Sequence, residues 1–376
     1  MIYYLGYYNC EQVDAEKRIA APPAINKMGY IVSVLSKIPD IKTMVISPSE
    51  TSLHHYVKGG LHELSDRVSL ITFDSFRSKN KFIRGFGHIW TKTQLLRFLM
   101  THVKFDDTVI VYHSLSLMNV VKKLKKKKNC NLIIEVEELY SDVKEDYALR
   151  EKEIEYLQNA DKYIVITKLL DKQVNHQNKP RIISHGTYQT ISKCNDKFND
   201  GKTHVVYAGT FNPVKGGVFS AIEVAEYLDE SFVLHILGKG SESDTENVIK
   251  KIEQVSICSK CTIVFEGYKT GKDFNKFIQS CHIGLSTQQP NGKYNASSFP
   301  SKILMYMSNG LPVVSIRIPA VETSKVGDLV YYYDASSSQN IAEAIKSVPI
   351  DKVFDVREKL DELNEQFLTD LSQLLN

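Results

Sequence analysis

The chain has 376 residues, long for one hydrophobic core and ordinary for two domains. It is 43% hydrophobic and 24% charged with a net charge of +3, so the composition is globular and the chain as a whole is no polyanion binder. No run of about 18 apolar residues is present, so no transmembrane helix is expected. Residues 1–7 lack a basic segment and a long apolar core, and read as a first strand rather than a signal peptide. The six cysteines are too few for a disulfide framework and fit a reducing, cytoplasmic setting.

Strand and helix patterns alternate along the chain, which predicts an α/β fold with parallel sheets and crossover helices. In the first half, strands are expected near 2–5, 43–46, 69–73, 108–112, 132–136 and 163–166, with helices around 24–35, 91–102, 117–126 and 148–160. The polar, turn-rich stretch 195–202 reads as the interdomain linker. The pattern then restarts with strands at 204–207, 232–237, 262–265, 283–286, 313–316 and 329–333. The division is residues 1–196, residues 203–350, and an amphipathic tail helix 351–376 that packs back on the first domain.

Several strands of the second half end in small residues: Ala208-Gly209-Thr210, Gly238-Lys239-Gly240 and Glu266-Gly267-Tyr268. Ligands of open α/β sheets bind outside the carboxyl ends of the strands. The stretch from Ser297 to Ser315 adds a phosphate-facing loop and a short helix. Ser297 and Ser298 precede Phe299-Pro300-Ser301-Lys302, with Pro300 expected at the first helical position and Asn309-Gly310 closing the helix. A helix N-terminus offers unpaired N–H groups and partial positive charge, which suit a phosphate.

These segments, in this order, resemble glycosyltransferase family 4, over roughly residues 203–333. The resemblance implies a GT-B fold, two Rossmann-like domains facing across a cleft, with a nucleoside-diphosphate sugar bound by the second domain and an acceptor by the first. It assigns the donor pyrophosphate to the turn of Gly209 and Thr210 and to Lys215-Gly216. The base and ribose fall to Gly238, Gly240, Gly267 and Tyr268, and the diphosphate to the loop and helix of Ser298, Phe299, Pro300, Ser301, Lys302 and Met305. The chain also departs from the family pattern. Ser297 and Met305 stand where two glutamates are usual, and Thr210 stands where an arginine is usual. Lys302 is the expected replacement cation, acting with Lys215. No Asp-x-Asp occurs, so the site is expected to need no metal and no cofactor beyond the donor itself, with lysines and helix N-termini stabilising the leaving group. The implied reaction is retaining transfer to a saccharide or lipid-linked saccharide, in bacterial surface polysaccharide assembly.

In the first domain, two strand ends carry chemistry. One ends in His113; the other reads Glu135-Val136-Glu137-Glu138. Unpaired acids are costly to bury, so Glu137 and Glu138 are expected at a cleft mouth, as acceptor or catalytic carboxylates. Glu137 aligns most nearly with a histidine common in the family. A second reading keeps Glu138 and Asp142 as acids complementing a helix N-terminus, and His113 as a backbone-bonded strand end. The lysines of 122–128 and the basic and apolar mix of 84–104 suggest an acidic membrane surface as a partner; no aromatic–basic platform points to nucleic acid. Cys258 and Cys261 alone do not make a metal site. Two alternatives stay open: a non-catalytic glycosyltransferase-like subunit, favoured by the missing glutamates, and a nucleotide-sugar epimerase of the same fold. A nicotinamide oxidoreductase ranks below both, because no Gly-x-Gly-x-x-Gly follows the first strand.

Overall fold

The computed structural model describes residues 1–211, 217–288, 298–335, 337–350 and 356–376. The chain forms two compact units, one of residues 1–187 with 365–376, the other of residues 188–364.

The first unit contains β1 (Ile2–Leu5), β2 (Thr43–Ser47), β3 (Tyr56–Val57), β4 (Leu61–Ser65), β5 (Val68–Thr72), β6 (Ser75–Phe76), β7 (Thr108–Tyr112), β8 (Asn131–Val136), β9 (Lys162–Val165) and β10 (Arg181–Ile183). Eight of them make one sheet in the order β10-β9-β8-β7-β1-β2-β5-β4, parallel except for β4. Its central strands are near-continuous apolar runs, as expected of parallel strands covered on both faces. Helix Pro22–Leu35 follows β1, with proline in its first turn and seven apolar side chains among its buried residues. The helix expected at 91–102 starts ten residues earlier, running Lys81–His102, because the Asn80 side chain caps it by accepting from the Phe82 and Ile83 amides. In those first turns the apolar residues face outward, so the inward periodicity becomes readable only from Thr91.

The second unit contains β11 (Thr203–Thr210), β12 (Phe232–Lys239), β13 (Thr262–Gly267), β14 (Ile283–Ser286), β15 (Val313–Ile316) and β16 (Val330–Tyr333). They form an all-parallel sheet ordered β13-β12-β11-β14-β15-β16. The unit begins before the expected linker, because residues 191–198 are bonded into it. The Ile191 amide donates to Ser308 O, the Cys194 amide to Gln279 Oε1 and the Phe198 amide to Ser280 O. The tail helix Val356–Leu375 crosses the division, and its last turns belong to the first unit, where Phe367 stacks on Tyr30 at 5.4 Å.

One side chain fixes helix Ser301–Ser308 against the second sheet. Tyr306 is fully buried, and its hydroxyl accepts from the Ala208 amide at 2.7 Å and donates to Leu285 O at 3.3 Å. Its ring lies on Gly284, where a Cβ would meet ring carbon at 2.3 Å. The helix ends in a Schellman turn. Gly310, at φ +77°, donates to Met307 O, and the Leu311 amide donates to Tyr306 O. Tyr306→Phe leaves the Ala208 amide unpaired in a dry site and is expected to cost about 1–3 kcal/mol. Gly284→Val forces ring and helix apart and is expected to cost at least as much. Urea unfolding of the two variants against wild type measures both.

Candidate functional site

The carboxyl ends of β11, β12 and β13 bring the glycine turns of the second unit to one edge. Gly209 and Gly238 are register partners, and a Cβ on Gly238 would lie 1.8 Å from Gly209 O. Only a residue without a Cβ fits at 238. Gly240 packs against Phe211 O, and Gly267 closes β13 at φ +67°. Tyr268, 58% exposed, follows it, with the Lys239 ammonium 4.0 Å from the centre of its ring. Thr210 is exposed at the end of β11.

Lys302 is brought to the same edge. It stands in the first turn of helix Ser301–Ser308, and its ammonium lies 3.7 Å from the centre of the Tyr207 ring. A Cβ on Gly209 would meet Lys302 Nζ at 2.5 Å, so the missing side chain at 209 is what lets this cation lie across the end of β11. Pro300 is the N-cap, not the first helical residue as expected, since its ψ of 105° is extended. Phe299 is buried beneath it, Ser298 is half-buried and Ser301 exposed. Met305, half-buried, lies one turn after Lys302 on the same helix face. Lys215, Gly216 and Ser297 lie outside the described residues.

In the first unit, the acids at the end of β8 meet partners from distant sequence. Glu135 is 0% exposed, and the Tyr4 hydroxyl donates to its Oε2. Burial pushes the Glu135 carboxyl up to about 8; the Lys27 cation pulls it down, and neighbouring Glu137 pushes it up again. Lys27 is itself only 4% exposed. Its ammonium donates to Gly186 O at 3.0 Å and sits 3.3 Å from Glu137 Oε1. Glu137 and Glu138 remain half-buried at the strand's end. Burial, then Glu137 and Glu135, push the Tyr112 hydroxyl upward; burial and Glu138 push Tyr140 up to about 12. One buried cation therefore faces two acids, and burial of Glu135 is what keeps them from carrying two charges.

His113 is placed differently from expectation. Its Nε2 is 2.7 Å from Glu153 Oε1, and its ring is sandwiched by Tyr140 and Tyr156. His113 is 2% exposed, buried beside these two tyrosine rings. Glu153 also accepts the Tyr140 and Ser141 amides, at 3.0 and 2.9 Å. Burial alone would raise the Glu153 carboxyl, yet the hydrogen bonds from His113 and Ser141 hold it below the usual carboxylate range. Glu153 thus satisfies amides at the start of helix Tyr140–Lys144, and Asp142 lies in the helix's first turn as one reading expects. Sequence reasoning missed Tyr4, Lys27 and Glu153. Lys27 left one signal, as the sole charged residue in helix Pro22–Leu35.

Residues 202–349 match the family profile described as Glycosyl transferases group 1. No curated protein matches the chain in sequence. Solved structures match in fold over nearly the whole chain. A structure from E. coli, described as trehalose-6-phosphate bound with UDP-2-fluoro glucose, superposes with a TM-score of 0.66 at 9% identity, over 100% of this chain and 99% of that one. An alpha,alpha-trehalose 6-phosphate synthase from Burkholderia multivorans gives 0.65 at 10% identity, over 100% and 98%. A UDP-forming synthase from Burkholderia xenovorans, in complex with glucose-6-phosphate, gives 0.62 at 11% identity, over 99% of each chain. These likenesses establish the fold class, two parallel-sheet α/β units of the GT-B kind. The profile match covers the span that carries the glycine turns and the Lys302 helix.

Proposed function

We propose that the protein is a glycosyltransferase that moves a sugar from a nucleoside-diphosphate sugar, on this reading a UDP-hexose, to a saccharide or lipid-linked saccharide. The reading is carried by one observation: the span that matches group 1 glycosyl transferases gathers bare glycine backbone and the Lys302 ammonium at the carboxyl edge of its sheet. Backbone N–H groups and a lysine suit a diphosphate leaving group without a metal. Lys302 and Lys215 are its cations, Tyr268 and Lys239 flank the base, and transfer is retaining, as in the family 4 pattern. The first unit holds the acceptor, with Glu137 as the acid that orients its hydroxyl and Glu135 as the buried neighbour behind it.

The donor reading is tested by melting the protein with UDP, GDP, ADP, TDP or CMP, with and without Mg²⁺. One nucleotide is expected to raise the melting temperature with or without metal. Lys302→Ala is expected to weaken that nucleotide about tenfold or more, the loss of one charge-assisted contact. No shift with any nucleotide overturns the transferase and favours the non-catalytic subunit.

The acid pair makes its own prediction. Between the ordinary carboxylate range and about 8, native Glu135 keeps a proton that the unfolded chain has released. The folded state then binds more protons, so stability falls as pH rises through that window. Glu135→Gln removes this dependence. Its stability relative to wild type is expected to improve by roughly 1 kcal/mol or more from pH 5 to pH 8. Urea midpoints at the two pH values measure it; a constant difference rejects the assignment.

Peripheral placement on an acidic membrane is supported by helix Lys81–His102. Phe82 is 90% exposed, and Ile83, Phe86, Ile89 and Trp90 are exposed on the same turns, beside exposed Lys79, Lys81 and Arg84. The helix packs on helix Met118–Lys128, which adds exposed Lys123, Lys126 and Lys127. Apolar side chains ringed by cations suit an anionic interface. The protein is expected to float with vesicles containing acidic lipid, less so in high salt, and F82S/F86S/W90S is expected to stay at the bottom. Equal flotation of the triple variant and wild type counts against this face.

A further inference from the structure

Within the second unit, two buried histidines link two carboxylates. His204 Nε2 lies 3.0 Å from Asp200 Oδ1. His204 Nδ1 lies 2.8 Å from His235 Nε2, and His235 Nδ1 lies 2.9 Å from Glu266 Oε1. The chain spans β11, β12 and β13, from the connecting segment to the residue before Gly267. Both rings are 4% exposed. Phe198 covers them, with centroids 4.2 Å from His204 and 5.6 Å from His235.

Three gaps between these groups each need one hydrogen, and two neutral imidazoles hold only two. The carboxylates do not supply the third. The Lys269 ammonium stands 3.2 Å from Glu266 Oε2, a cation against that carboxylate. Hydrogen bonds from His204 and the Lys202 amide hold the Asp200 carboxyl below its usual range. The third hydrogen therefore belongs to the rings. We propose that Asp200, His204, His235 and Glu266 form a pH-sensitive latch, closed while the histidine pair carries one extra proton and opened at Asp200 when that proton leaves.

The opening falls at Asp200 for two reasons. Burial pushes His235 down, so the extra proton stays at the Asp200 end. Asp200 has a side chain 53% exposed, so water can replace His204 there. Glu266 keeps both oxygens engaged, on His235 and Lys269. The other ionisable neighbours do not compete for the proton. His282 accepts the His204 amide through Nδ1 at 2.9 Å, and burial, then nearby Lys197, push it down to about 4. Lys197 donates to Cys281 O at 2.6 Å. Deprotonation leaves a bare His204 Nε2 against a carboxylate, and the turn of Asp200 lets go of β11.

The test uses the full chain labelled with ¹⁵N in its histidine rings, titrated across the ordinary histidine range, from about pH 5 to pH 8. His204 is expected to pass from a doubly protonated ring to a neutral ring protonated at Nδ1, while His235 keeps its Nδ1 proton throughout. Backbone hydrogen exchange at residues 198–203, corrected for intrinsic rate, is expected to rise about tenfold at the same midpoint. Asp200→Ala, at an exposed position, is expected to fold normally and to show fast exchange in this segment at every pH. A neutral His204 across the whole range overturns the latch. So does a titrating His204 with unchanged exchange, or an Ala variant that keeps the wild-type pH dependence.

Discussion

The seat of Tyr306 on Gly284 is the contact from which the second unit's site follows. Its hydroxyl takes an amide from β11 and gives its proton to a carbonyl of β14, so one side chain joins two neighbouring strands to helix Ser301–Ser308. That fixes the rotation of the helix. With Tyr306 pointing into the sheet, Lys302, four residues earlier, is carried to the end of β11, where glycine leaves room for its ammonium. The Schellman turn at Gly310 completes the constraint by ending the helix where β15 must begin. A helix free to roll by one residue would place Lys302 about 100° around its axis, off the strand end altogether.

The first unit solves a related problem with charges. A parallel strand buried on both faces has no packing use for an acid, yet β8 ends in three. Two of them are accommodated by partners far away in sequence. Tyr4 reaches Glu135 from β1, and Lys27 reaches Glu137 from the following helix. His113 is similarly absorbed, by Glu153 of helix Tyr147–Leu157. Charges placed at the carboxyl edge thus persist there only because several elements converge on the same few atoms.

This convergence also sets what could be read from the sequence. Strand and helix alternation is a local property, and it was legible in both halves, as were the glycine turns and the Asn309-Gly310 stop. Side chains that act across the fold were not. Lys27 stood out only as a charge in an apolar helix, and Glu153 lay unmarked within Tyr147–Leu157. The linker expected at 195–202 starts inside the second unit, because polarity does not by itself mark an unbonded chain. Residues 191–198 are polar, but their amides are bonded to the second unit, so the division falls near residue 187. The early start of helix Lys81–His102 was hidden for the reverse reason, since its first apolar residues face outward and do not follow the core's period.

Met305, a departure from the family pattern, is best understood together with Lys302. The resemblance places a glutamate at 305, one turn beyond 302 on the same helix face. A carboxylate there would draw the Lys302 ammonium toward itself, since opposite charges three residues apart on a helix attract. Methionine exerts no such pull. Lys302 lies instead over the Tyr207 ring, where its charge meets the negative face of the aromatic system at the strand end. On this argument the lost acid and the added cation are one electrostatic exchange. The cation thus lies beside the glycine turn, where the proposed function places a diphosphate.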